Sequence, residues 1–255
     1  MTRSYYNEIN PYAAQWLRNL ISAGHIAPGD VDERSVTEVK TADLKGYSQC
    51  HFFAGIGGWS LALRRAGWPD VEPVWTISCP CPPWSRGRIW HTERAGTKDH
   101  RDLWPAILPL IVKVRPVRIF GEQVAGKKAE PWIGRTTIDL IRNRYRFQGE
   151  VRRAKDHEAP QGRERFYFSA HAGSARRQGL VESGSIGEAR PWRWGGQEDL
   201  RAIAAAPFQQ GRRWPQPLVR RGDDGVSTRV ATLCAYGNAI DPWIAAQFIS
   251  ETAGA

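Results

Sequence analysis

The sequence predicts an α/β fold built on a mostly parallel sheet, and three observations carry that expectation. Short apolar runs rich in β-branched and aromatic residues alternate with longer stretches at helical spacing. Two of the short runs end abruptly, one in Gly55-Ile56-Gly57-Gly58 and one in Cys79-Pro80-Cys81-Pro82-Pro83. No internal repeat points to a different architecture.

Residues 3–9, RSYYNEI, read as a short strand. Asn10-Pro11 then starts a helix, with Asn as cap and Pro in the first turn. Tyr12, Ala13, Trp16, Leu17, Leu20 and Ile21 follow at helical spacing, and Gly24 ends the run. Pro28-Gly29-Asp30 is read as a turn. Residues 50–54 form a strand broken by the glycines, and Trp59 to Ala66 is helical. The apolar run 71–77 leads into the Pro-Cys segment. Leu103 to Val114 is expected as a helix, 117–120 as a buried strand, and 133–142 as a further helix. Residues 147–154 and 165–169 are the last strand candidates before periodicity fails at about residue 170. The stretch 170–230 is rich in Gly, Arg, Ser, Pro and Gln, with Trp192, Trp194 and Trp214 scattered through it. Apolar order returns at 230–234, and Pro242 to Ile249 is expected as a closing helix.

Composition narrows the function classes. The 255 residues suffice for one large domain, and 41% hydrophobic with 24% charged residues argues against global disorder. No run of eighteen apolar residues is present, so no membrane span is expected. The first residues lack an apolar signal core, which predicts a cytoplasmic protein. The net charge of +10 is uneven: residues 1–85 carry 7 basic and 8 acidic side chains, whereas 86–230 carry 29 and 16. A basic middle of this kind suits a polyanion partner, since neutralising phosphates releases counterions, and it equally suits a solvated basic surface. The four cysteines (Cys50, Cys79, Cys81, Cys234) show no C-x-x-C spacing, so neither a zinc site nor a disulfide framework is expected.

Four groups of residues can carry chemistry. A strand running into Gly55-x-Gly57-Gly58 and then a helix brings bare backbone close to a nucleotide-like ligand, or serves packing alone. Cys81, flanked by prolines just after a strand, is either a rigidly presented thiol or a small buried hydrophobe. Glu122 follows an apolar strand and belongs on the same sheet edge. Alternation in Gln161-Gly162-Arg163-Glu164-Arg165 places Gln161, Arg163 and Arg165 on one face, where two guanidiniums could clamp a carbonyl or phosphate or form surface ion pairs.

Taken in order, FAGIGG, PCPPWS, a Glu after an apolar strand, QGRERFYF, a basic insert and YGNAI closely resemble the DNA cytosine-5 methyltransferase family. The resemblance covers about residues 4–169 and 230–250. It implies a Rossmann-like class I S-adenosylmethionine-dependent methyltransferase fold with a small target-recognition insert. One departure is topological. In the family the glycine motif comes first, followed by an acidic residue for the cofactor ribose and an Asp for its adenine. Only 22 residues separate Gly58 from Cys81 here, too few for two more strands and a helix. Glu8-Ile9-Asn10-Pro11 and Gly29-Asp30-Val31 resemble the missing motifs, so a local permutation is expected in which the family's second and third strands precede its first. Two smaller departures are Pro82 where the family has Gln after the nucleophile, and Gln123 where it has Asn after the Glu.

The resemblance implies a DNA (cytosine-5-)-methyltransferase acting on double-stranded DNA. Cys81 would be the nucleophile, Glu122 would hold the ring nitrogen and exocyclic amine, and Arg163 or Arg165 would hold the carbonyl oxygen. S-adenosylmethionine would lie over Gly55, Gly57 and Gly58 with Phe53 against its adenine, Glu8 and Ile9 at the ribose and Asp30 at the adenine edge. Asn238 would help close the pocket. The catalytic domain is expected over 1–169 and 231–255, with 170–230 reading DNA, and the protein is expected to be a monomer. The alternatives are an amino-methyltransferase, suggested by Cys81-Pro82-Pro83-Trp84, a cytosine-modifying enzyme with another outcome, and a silent DNA-binding protein.

Overall fold

The computed structural model describes residues 3–80, 102–127, 129–154, 163–173 and 239–253. Seven strands form one sheet: β1 (Arg3–Asn7), β2 (Gly29–Asp32), β3 (Tyr47–Phe52), β4 (Val74–Ile77), β5 (Arg118–Val124), β6 (Tyr145–Arg153) and β7 (Glu164–Ala172). Five helices accompany them: α1 (Pro11–Ser22), α2 (Gly58–Arg65), α3 (Trp104–Val114), α4 (Glu130–Arg142) and α5 (Pro242–Thr252). The strand order is β2-β1-β3-β4-β5-β7-β6. The first five run parallel, and β7 is antiparallel to both β5 and β6.

A doubly wound sheet reads 3-2-1-4-5 across its parallel part, with the glycine turn following strand 1. Here the glycine turn follows β3, and β1 and β2 occupy the second and third places. This is the expected permutation, reached without crossing connections because β3 and β4 remain neighbours joined by α2.

Period-two alternation splits each strand between two faces. Tyr5, Cys50, Phe52, Trp75, Ile77 and Ile119 pack beneath α3 and α4 with Trp104, Ile107 and Leu140. Tyr6, Val74, Phe120 and Tyr167 face the other way, toward α1, α2 and α5. The closing helix belongs to this second layer, with Phe248 edge-on to Phe120 at 6.3 Å and tilted against Tyr167 at 5.7 Å. Among the described residues no helix is long and apolar enough to cross a membrane.

The local rules for α1 hold. The Asn10 side chain accepts from the backbone N–H of Tyr12 and Ala13, and Pro11 needs no donor at that position. Pro28-Gly29-Asp30 is corrected: Gly29–Asp32 is a strand, held parallel to β1 through Ser4↔Gly29 and Asn7↔Asp32. Glycine is required at its start because a Cβ there would overlap the carbonyl of Ser4. Strand β5 also runs longer than the apolar run 117–120, so Glu122 lies within it rather than after it.

One buried titratable group sits in the middle of the sheet. His51 stacks on Tyr6 at 4.8 Å and its Nδ1 shares a hydrogen bond of 2.8 Å with Thr76 Oγ1. Burial pushes its pKa down to about 3. The folded protein therefore refuses a proton that the unfolded chain accepts at about 6.5, and this contribution to stability, complete above that value, falls as pH drops toward about 3. Urea unfolding at about pH 7.5 and pH 5.5 should show a loss on acidification that is smaller by about 1.4 kcal/mol in His51→Gln than in the wild type. Equal losses in both proteins would show that His51 is not the group responsible.

Candidate functional site

A cavity of about 400 Å³ opens at the carboxyl ends of the parallel strands. This is where open α/β sheets bind ligands. One side of it is built by β1, the loop after β2 and the glycine turn, through Asn7, Glu8, Ile9, Asn10, Ser35 and Gly55. The other side is built by the ends of β4, β5 and β7, through Ser78, Pro80, Glu122, Gln123, Arg163 and Arg165.

On the first side, Glu8 joins the amino-terminal segment to the glycine turn. Its Oε2 accepts from the Gly55 N–H at 2.8 Å and its Oε1 from the Asn10 N–H at 2.8 Å. Burial raises the Glu8 pKa, while the backbone donors of Asn10 and Gly55 oppose the rise. Phe53 and Gly55 both have positive φ, 55° and 54°, so the chain leaves β3 in a left-handed hook. A Cβ on Gly55 would meet nothing within 4 Å and would project into open space. Gly58 is closed off differently, since a Cβ there would press on Ile240 Cγ1 at 2.8 Å.

On the second side, Glu122 is buried, and Arg165 Nε donates to its Oε1 at 2.7 Å. Arg163 Nη2 stands farther off, at 4.0 Å from the same oxygen, and the Arg163 Nε is buried without a partner. Burial raises the Glu122 pKa, and the charges of Arg165 and Arg163 and the Ser78 hydroxyl pull against it. Ser78 Oγ in turn accepts from Trp59 Nε1 at 2.9 Å, which links α2 to the end of β4. Gln123 turns back on the backbone: its Nε2 donates to the Cys79 carbonyl at 3.4 Å and its Oε1 accepts from the Val124 N–H at 2.9 Å.

The structure thus gathers Glu8, Ile9, Phe53, Gly55, Gly58, Glu122, Arg163 and Arg165 around one cavity. Gly57 does not line it. With φ of 84° it caps α2, and its Cα faces Ile26, Leu17 and Leu20. Asp30 is corrected as well: it is absent from the cavity wall, and its carboxylate takes Arg3 Nη2 at 2.5 Å and the Tyr47 hydroxyl at 2.9 Å. Those partners begin β1 and β3, so Asp30 sits toward the opposite ends of the strands. Cys81, Gln161, Asn238 and the insert 174–230 lie outside the described residues. Their neighbours Cys79, Pro80, Arg163, Ala239 and Ile240 line the cavity. Cys79 itself is buried, and its thiol is pushed well above the ordinary range by that burial. Sequence reasoning missed Asn7, Asn10, Ser35, Trp59 and Ser78. Position alone could have found Ser78, the first residue past β4.

Comparison with known proteins gives a match to part of the chain. Residues 74–184 match the profile described as C-5 cytosine-specific DNA methylase. No curated protein matches. Among solved structures, DNMT2 from Spodoptera frugiperda is similar at 13% identity with a TM-score of 0.45, covering 75% of this chain and 48% of that one. A putative DNA modification methyltransferase from an E. coli prophage is similar at 16% and 0.43, covering 66% and 40%. The S. pombe Dnmt2 methyltransferase is similar at 12% and 0.47, covering 98% of each chain. The chain therefore spans about half the length or less of the first two.

Proposed function

We propose, from the match of residues 74–184 to the C-5 cytosine-specific DNA methylase profile, that this chain methylates carbon-5 of cytosine in double-stranded DNA. Methylases of this family use S-adenosylmethionine, which supplies an electrophilic methyl group on a sulfonium. The residues present fit that group: the Gly55 hook leaves room where any side chain would intrude, and Glu8 offers acceptors beside it. Glu8, Ile9 and Asn10 would lie at the ribose hydroxyls and Phe53 against the adenine, with Gly58 at the cavity wall beside Ile240.

The single observation that carries the base-side reading is the buried Glu122 carboxyl flanked by two guanidiniums at the cavity wall. Cytosine carbon-5 is a weak nucleophile. Addition of the Cys81 thiolate to carbon-6 forms a carbon–sulfur bond and makes carbon-5 enamine-like. Cys81 follows directly on Pro80, a residue of the cavity wall. Glu122, its affinity for a proton raised by burial, would meet the ring nitrogen as the added electron pair moves there. Arg165 is committed to Glu122, so Arg163, with an unpartnered Nε, is the guanidinium available for the carbonyl oxygen. After methylation, loss of the carbon-5 proton and departure of the thiolate restore the ring.

Carbon-6 is out of reach inside a duplex, so the base must be everted, with the basic insert that follows β7 gripping phosphates. In this reading 1–169 and 231–255 form the catalytic domain, and the protein acts as a monomer. Wild type and Cys81→Ala, expressed in a methylation-free host whose DNA is then bisulfite-sequenced, test the proposal. Protected cytosines at a short recurring sequence are expected with the wild type alone. Equal background conversion in both samples would sink it.

A further inference from the structure

At the ends of the strands opposite the cleft, two arginines and a histidine stand in one row of the sheet, with no carboxylate in that row. Register sets Arg118 of β5 directly against His171 of β7, and His171 directly against Arg146 of β6. Directly opposed residues share a face, so two guanidiniums and an imidazole stand side by side. A second row, Ser169 opposite Gln148, adds a hydroxyl and an amide on that face. The two guanidiniums flank the imidazole from either side, so positive charge is gathered on one patch of the sheet.

The described residues supply only neutral compensation. None of their ion pairs includes Arg118 or Arg146. Arg118 is buried. Its Nη1 donates to the Thr252 carbonyl at 3.1 Å and to Ser169 Oγ at 3.3 Å, and its Nη2 donates to the Ala253 carbonyl at 2.9 Å. The Nδ1 of His171 is buried without a partner. Arg118, Arg146, Phe147, Gln148, Ser169 and His171 enclose a cavity of about 200 Å³. The crowding is felt in ionisation: burial, then Arg118 and Arg146, hold the His171 pKa below its usual value. Burial and then Arg146 lower that of Arg118.

We propose that this cavity binds the phosphate group of a small molecule, at a site separate from the catalytic cleft. The exposed Arg146 guanidinium fork matches a tetrahedral oxyanion, Arg118 adds positive charge while its Nη atoms hold backbone carbonyls, and the hydroxyl, amide and imidazole supply neutral donors around it. A small phosphate is favoured over a DNA backbone by position. Arg118 and Glu122 are four positions apart on β5, about 13 Å at the rise of a strand, so the cavity lies at the end of the strand opposite the cleft.

The test is titration calorimetry of the full chain with inorganic phosphate at fixed ionic strength, set beside an oligomeric poly(dA)·poly(dT) duplex, which contains no cytosine. Arg146 is exposed and His171 half-buried, so neither Arg146→Gln nor His171→Gln empties the core, and thermal melts verify this. Phosphate is expected to bind the wild type and to bind Arg146→Gln about tenfold more weakly or worse. The duplex should bind both alike. Absence of phosphate binding, equal binding by wild type and variants, or a loss confined to the duplex would each overturn the proposal.

Discussion

Glu122→Gln is expected to slow methyl transfer to DNA by about 10²- to 10³-fold while S-adenosylmethionine binding stays near the wild-type value. Glutamine keeps the size of the side chain and loses the proton that burial holds on the carboxyl more readily than usual. It also leaves Arg165 Nε without its charged partner at 2.7 Å. Removing one partner of a desolvated pair costs stability, about 1–3 kcal/mol here because Arg165 stays partly exposed. Single-turnover transfer of a labelled methyl group, read beside a thermal melt, separates the two effects. A folded Glu122→Gln protein transferring at the wild-type rate would remove Glu122 from the chemistry. The opposite pattern, weak cofactor binding with normal turnover at saturation, would place it on the wrong side of the cleft.

The second large effect belongs to the other side. Glu8→Ala frees the backbone N–H groups of Gly55 and Asn10, which share the two oxygens of the Glu8 carboxylate. The glycine hook loses its tie to β1, and S-adenosylmethionine should bind about 10- to 100-fold more weakly by calorimetry. Acid should imitate the mutation. Burial raises the Glu8 pKa, so the carboxylate is lost at a higher pH than an exposed glutamate's. Cofactor affinity of the wild type should therefore fall as pH drops toward the carboxylate range, and that of Glu8→Ala should fall less. A variant with wild-type affinity would leave the amino-terminal strands a purely architectural role.

These two carboxylates also mark how far local chemistry reaches. Asn10-Pro11 announces α1 because capping is a matter of a few adjacent residues, and the cap formed as read. The alternation around Arg163 and Arg165 likewise needed no distant information, and both side chains reach Glu122. Pro28-Gly29-Asp30 misled for the converse reason. Its composition is that of a turn, yet pairing with β1 decides its structure, and Gly29 is there to clear the Ser4 carbonyl. The same pairing sends the Asp30 carboxylate to Arg3 and Tyr47, far from the ligand edge, while Asp32 ends the strand. Glu122 was placed beyond its strand because Gly121 and the polar residues after it break the apolar run. Pairing with β7 as far as Val124↔Arg165 extends β5 through them. Gln123, a departure from the family's usual residue, bonds the backbone on either side, a role visible only once β4 and β5 lie adjacent. Ser78 and Trp59 carry no local signal for their bond, which spans a helix and a strand end.

Helix α2 starts at Gly58 on the cavity wall, and its next residue, Trp59, holds Ser78, which in the proposed reading lies on the side facing the base. One rigid turn of helix is therefore common ground for two guests. Any preference of one guest for a particular position of that turn must, by linkage, be returned in equal measure to the other. In the proposed reading, cofactor and cytosine would be joined through a single indole, with no moving domain between them.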